Sequence, residues 1–135
     1  MAEPFPFELV SPERLLVSEE AVEVVVPGTE GQFGVMKGHA PFLSTMRPGI
    51  LKLRRPNGSV EEFFVRGGFA DAAPGGLTVL AEKAIPVQDL RADEIAAQIK
   101  DAEEDVADAK DSEAKQRAET VLGQLREVQA ALKTA

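Results

Sequence analysis

Histidine is the side chain best suited to moving protons near neutral pH, and this chain has one, His39. It sits in GQFGVMKGHAPFLSTMRPGIL, residues 31–51, where Gly31, Gly34, Gly38 and Pro41 crowd around it. The hydroxyl of Ser44 is nearby in sequence. Nucleophilic chemistry needs a base within hydrogen-bond reach and a third group to orient that base. No G-x-S-x-G turn supplies it, and cysteine is absent. The P-loop and G-x-G-x-x-G patterns that cradle phosphates are missing as well. The densest run of hard oxygen ligands is Asp101-Ala102-Glu103-Glu104-Asp105. On a helix those carboxylates fan around the surface instead of converging on a cation, so no metal site is expected. A free-standing enzyme built on His39 is therefore the weaker alternative. A rigid docking segment held by glycine and proline is the stronger one.

The elements that position these residues fall into two regions. Eight of nine prolines and ten of eleven glycines precede Pro86 and cut the chain into short runs. Such punctuation marks a β-rich region. Strands are expected over Phe5–Val10, Leu15–Val17, Ala21–Val26, Ile50–Arg54, Val60–Val65, Phe69–Ala73 and Leu77–Ala81. Ile50 to Arg54 alternates with period two. Asn57-Gly58 after Pro56 is a hairpin signal, because both residues tolerate positive φ. Pro74-Gly75-Gly76 marks a second turn. After Pro86 the sequence has no proline and one glycine, and two helical stripes appear. The first runs Ile95, Ile99, Ala102, Val106, Ala109, and Asp89 is placed to cap it. The second runs Ala114, Ala118, Val121, Leu125, Val128, Leu132, and Ser112 is placed to cap it. The short link between them favours an antiparallel hairpin. The expected fold is α+β: an antiparallel β-sandwich over residues 1–87, then an α-helical hairpin over 88–135.

Composition narrows the partners. The net charge of −8 disfavours nucleic acid, which demands a basic face. The charge is −3 over residues 1–87 and −5 over the shorter 88–135, as a solvated helical surface would give. No apolar run approaches the roughly 18 residues of a membrane span, so direct membrane insertion is not expected. The first residues, MAEPFPFELV, lack the basic and apolar regions of a signal peptide. Absence of cysteine removes disulfides and thiolate metal sites.

The stretch PGTEGQFGVMKGHAPFLSTMRPGIL, residues 27–51, resembles the hallmark of the epsilon subunit of the rotary F-type ATP synthase. The matching residues are Glu30, Gly31, Gly34, His39, Pro41, Leu43, Pro48 and Gly49. The early FELVSP run, the VRGGF turn, the VLAE run and the terminal hairpin follow in the family's order. The resemblance implies a non-catalytic rotor subunit without a cofactor, at the foot of the central stalk, on the cytoplasmic face of a bacterial inner membrane. It would bind the gamma subunit and the c-ring loops and couple proton flow to ATP synthesis. By analogy Glu30, Gly31 and Gln32 would face the c ring, and His39, Ala40, Pro41 and Phe42 would contact gamma. Many family members carry an acid where this chain has Gln32. The hairpin of some members extends and inhibits ATP hydrolysis, setting basic side chains against the alpha and beta subunits. Lys115, Arg117, Arg126 and Lys133 are the cations this chain offers. Other members bind ATP through an Asp, two residues, then Arg-Ala. Here Asp89-Leu90-Arg91-Ala92 has one residue between, which rotates Arg91 by about 100° on a helix. An ATP-sensing hairpin is thus the alternative reading.

Overall fold

The computed structural model describes residues 3–134. Its contacts divide the chain between Gln88 and Asp89 into two units, each described here by itself.

The first unit is two five-stranded sheets packed face to face. The first sheet takes β1 (Phe5–Ser11), β2 (Arg14–Ala21), β5 (Phe42–Thr45), β8 (Phe69–Ala73) and β9 (Gly76–Leu80), in the order β2-β1-β9-β8-β5. The second takes β3 (Glu23–Gly28), β4 (Gly31–Val35), β6 (Gly49–Arg54), β7 (Val60–Arg66) and β10 (Lys83–Pro86), in the order β10-β7-β6-β3-β4. All pairings are antiparallel except β1 with β9, which run parallel. Period two builds the core. Phe5, Phe7 and Leu9 of β1 point inward, as do Val24 and Val26 of β3, Leu51 and Leu53 of β6, and Leu77 and Val79 of β9.

The Asn57-Gly58 hairpin forms between β6 and β7, with Gly58 at φ 88° and its N–H donating to the Arg55 carbonyl. Three strands were not expected from sequence. Gly31–Val35 and Phe42–Thr45, read as loop, are the edge strands β4 and β5, and Lys83–Pro86 is the edge strand β10. Edge strands need pairing on one side only, so glycine and proline cost them less than they cost a central strand. The expected strand Ala21–Val26 is split. Ala21 ends β2, and the chain passes to the second sheet at Val22, whose N–H donates to the Arg54 carbonyl.

One side chain ties the two sheets together. The Arg55 guanidinium, beyond β6, donates to Glu19 on β2 and to Glu61 on β7, the latter at 2.6 Å. These hydrogen bonds, with Glu19 first, raise the pKa of Arg55 above its ordinary value.

A 3₁₀ turn, Val87–Asp89, spans the boundary, and the second unit holds α1 (Ala92–Asp108) and α2 (Ser112–Thr134). Both caps differ from expectation. Asp89 lies in the 3₁₀ turn, and α1 begins after Arg91, which makes no side-chain cap bond. Asp111 caps α2 in place of Ser112: its Oδ1 accepts from the Ala114 N–H at 2.7 Å. A carboxylate is the stronger acceptor for that end of a helix. The stripes hold at their centres, where Ile95, Ile99, Ala102, Leu125 and Val128 are buried. Leu122 joins them, whereas Val106 is only half-buried and Ala109 falls beyond α1. Arg126 on α2 reaches Glu103 on α1 at 3.0 Å.

The Arg55 clamp is testable. Arg55→Met combined with Glu19→Gln in a double-mutant cycle is expected to give about 1 kcal/mol of coupling. Urea denaturation in high salt should shrink that coupling, because the groups are partly solvated.

Candidate functional site

Strands β4 and β5 are the free edges of their two sheets, and they meet along one side of the sandwich. A line of rings joins them. Phe33 on β4 lies edge-on to Phe42 on β5, with ring centroids 5.1 Å apart. Phe42 stands 6.3 Å from His39, and His39 stands 6.2 Å from Phe5. His39 is thus half-buried between two phenylalanines, and its Nδ1 lies 3.3 Å from the Ala40 carbonyl. Ser44 donates to its own neighbour, the Thr45 carbonyl, at 3.0 Å and not to the imidazole. His39 and Ser44 thus form no hydrogen-bonded pair with each other, and the imidazole packs between the rings of Phe5 and Phe42.

Between the two edges runs an open groove of about 620 Å³, floored by Phe33 and Phe42 and rimmed by Thr29, Glu30, Leu43 and Thr45. The groove is held at its end by backbone. Thr29 N–H donates to the Thr45 carbonyl at 3.0 Å, and the two threonine hydroxyls are 2.6 Å apart. Glu30 sits in the β3–β4 turn, while Gly31 and Gln32 begin β4; all three are exposed. Ala40 and Pro41 are exposed ahead of β5, and Phe42 is half-buried against the core. The sequence-derived candidates therefore form two neighbouring groups on one edge.

A second feature was missed in sequence. On the outer face of the first sheet, register sets four apolar side chains side by side. Phe69 of β8 pairs with Leu80 of β9. Leu80 pairs with Val10 of β1, and Val10 with Leu15 of β2. The resulting stripe crosses four strands. Leu15 is 54% exposed, Phe69 and Leu80 are each 38% exposed, and Val10 is half-buried. Isolated exposed apolar residues need no account, but these four form a contiguous row on one sheet face. Leu43 extends this face on β5 and is 68% exposed. The available signal was apolar residues on both phases of a strand, as at Leu9-Val10, Leu15-Leu16, Phe69-Ala70 and Val79-Leu80.

The remaining candidates lie on the helical unit. Arg91 pairs with Asp93 at 3.3 Å, and Asp89 is exposed. Lys115 is exposed, Arg117 pairs with Glu113 at 3.1 Å, and Arg126 pairs with Glu103. The Lys133 side chain lies outside the described residues. Among the described residues no group of three or more His, Asp or Glu side chains could hold a metal ion.

The described residues thus form a two-sheet β-sandwich whose edge carries the Gly–His–Pro run, followed along the chain by a pair of helices. Residues 4–87 match the family described as ATP synthase, Delta/Epsilon chain, beta-sandwich domain. The ATP synthase epsilon chain of Mesorhizobium japonicum is 49% identical over 132 residues, covering 98% of each chain. That of Parvibaculum lavamentivorans is 49% identical over 128 residues, covering 95% of this chain and 97% of its own. The chain belongs to the ATP synthase epsilon-chain family. The fold also matches a chain in the Euglena gracilis mitochondrial ATP synthase OSCP/F1/c-ring structure. There the TM-score is 0.76 at 21% identity, over 96% of this chain and 81% of the other. A chain of the Tetrahymena thermophila mitochondrial ATP synthase central stalk/c-ring structure gives a TM-score of 0.69 at 15% identity, over 96% of both.

The stripe depends on how β8 enters the sheet. Gly68 precedes Phe69 at φ 92°, and a Cβ there would lie 1.8 Å from the Leu80 carbonyl oxygen. Gly68→Ala is expected to cost about 3 kcal/mol or more in chemical denaturation, since backbone must move. Gly58→Ala, also at positive φ but facing open space, should cost about 1–2 kcal/mol.

Proposed function

We propose that this chain is a non-catalytic rotor subunit of the ATP synthase central stalk, docking on the gamma subunit through the outer face of its first sheet. The observation that carries this is the stripe Leu15–Val10–Leu80–Phe69, an apolar row left in water on a face whose own core lies on the other side. A rotor coupling has to transmit torque without yielding. Two packed sheets clamped by Arg55 offer a stiff base, and side chains already fixed by strand register lose little entropy on docking. On this reading the exposed β3–β4 turn, Glu30 with Gly31 and Gln32, faces the c-ring loops. Gln32 contributes hydrogen bonds there in place of an ion pair. Ala40 and Pro41 border the gamma contact, while His39 and Phe42 hold its edge in shape.

No helix among the described residues is long and apolar enough to cross a membrane. The subunit would accordingly be peripheral, held at the cytoplasmic face of the bacterial inner membrane by its partners.

The hairpin modulates ATP hydrolysis on this reading. Two of its four candidate cations are engaged in the folded form, Arg117 by Glu113 and Arg126 by Glu103. Contacts to the alpha and beta subunits through Arg126 thus require its exposed pair with Glu103 to open. Exposed pairs of this kind hold by no more than about 1 kcal/mol, which suits a release step. The alternative, an ATP-sensing hairpin through Asp89 and Arg91, gains nothing from an Arg91 already paired with Asp93.

Two measurements test this. Leu80→Asp, in a chain whose melting is unchanged, is expected to weaken binding to purified cognate gamma by about 30-fold or more. Retained affinity would remove the stripe from the interface. Removal of residues 88–135 is expected to leave gamma binding intact and to raise ATP hydrolysis by the assembled head. Unchanged hydrolysis would leave the hairpin without the regulatory role.

A further inference from the structure

The outer face of the first sheet carries a second row, next to the apolar one. Asp71 of β8 pairs with Thr78 of β9, and Thr78 pairs with Glu8 of β1. These three residues lie two positions along their strands from Phe69, Leu80 and Val10, so their side chains share that face, about 7 Å away. Between the two carboxylates the surface dips into a dent of about 190 Å³, lined by Pro6, Glu8, Asp71, Gly75, Gly76 and Thr78. The glycines leave it open, because no side chain rises from that part of its lining. Glu8 and Asp71 are both exposed, and among the described residues neither has a hydrogen-bond or ion-pair partner. Leu43 continues the row beyond Asp71, through its pairing in the β5–β8 ladder.

We propose that this acid-walled dent is a socket for one basic side chain, arginine or lysine, of the protein that docks on the neighbouring apolar stripe. The proposal rests on the reading that this face binds gamma, and it adds the chemistry gamma must present: an apolar ridge with a cation beside it.

Geometry selects this occupant over a metal ion. Two strand spacings separate Glu8 from Asp71, about 9.5 Å between backbones. A hard divalent cation takes six or more oxygens, whereas the dent offers two carboxylates and a hydroxyl, and among the described residues no group of three or more acidic side chains could hold a metal ion. An ammonium or guanidinium at the end of a long stem can instead sit over Thr78, within the field of both acids. Its methylenes can lie along Leu43 or Pro6 while the charged head stays hydrated. The Thr78 hydroxyl offers a further acceptor.

The socket's effect is on approach and orientation more than on final affinity. Its charges are exposed, so each finished ion pair contributes little. Opposite charges facing one another across a forming interface speed encounter and fix register. Register matters on this face, because an apolar stripe by itself has no preferred direction for a partner to slide.

The test follows association of purified cognate gamma with the full-length chain at low and high salt. Glu8→Gln combined with Asp71→Asn is expected to slow association about tenfold at low salt and to flatten its salt dependence. Lysine at both positions should slow it further. In the wild-type complex, Glu8 and Asp71 should lose carbodiimide labelling relative to the free chain. Unchanged rates and labelling, in a preparation where Leu80→Asp abolishes binding, would overturn the socket and leave the docking face standing. Intact binding by Leu80→Asp would overturn both.

Discussion

Strand register in the first sheet is the constraint on which the rest of this molecule depends. Each strand there has two phases, and the inward one is committed to the core through Phe7, Leu9, Leu77, Val79, Ala70 and Ala72. Once that is fixed, every outward residue has a set neighbour on the next strand. Phe69, Leu80, Val10 and Leu15 become one row, and Asp71, Thr78 and Glu8 become the next. A slip of one residue in any pairing would turn that strand over and scatter both rows. The core and the apolar outer row are thus two readings of a single registration.

Several features guard it. Gly68 brings β8 so close to Leu80 that only a residue without a Cβ fits, which pins the start of the β8–β9 ladder. Thr29 and Thr45 fasten the open edge, and Arg55 fastens the two sheets together. The ring series Phe33, Phe42, His39, Phe5 fills the same edge. The single histidine therefore belongs to the stiffness of the sandwich. On the proposed rotor reading such fixity matters, because a compliant base would yield before it passed torque to its partners.

The sequence disclosed most of the architecture. The change in glycine and proline density at Pro86 separated sheets from helices, and Asn57-Gly58 located its hairpin. The Gly–His–Pro run pointed to the family. What stayed hidden has physical causes. Strands β4 and β5 read as loop because Gly31, Gly34 and Pro41 lower strand propensity, while an edge position tolerates them. The α2 cap was misplaced by one residue because Asp111 and Ser112 are adjacent and both competent acceptors, and the apolar stripe does not say which of them precedes the first helical residue. The apolar stripe was missed, although both strand phases are apolar, because each member looks like one more core residue. Val10 follows a buried Leu9, and Leu80 follows a buried Val79. Long-range pairing alone decides which of each couple faces water.

The most direct test of the account is solvent footprinting of the full-length chain, free and bound to gamma, read at single side chains. The account predicts that Leu15, Leu80 and Phe69 become protected together, with Met36, 53% exposed and off that row, unchanged. Protection confined to the β4–β5 groove, with Leu15, Leu80 and Phe69 still labelled, would contradict it.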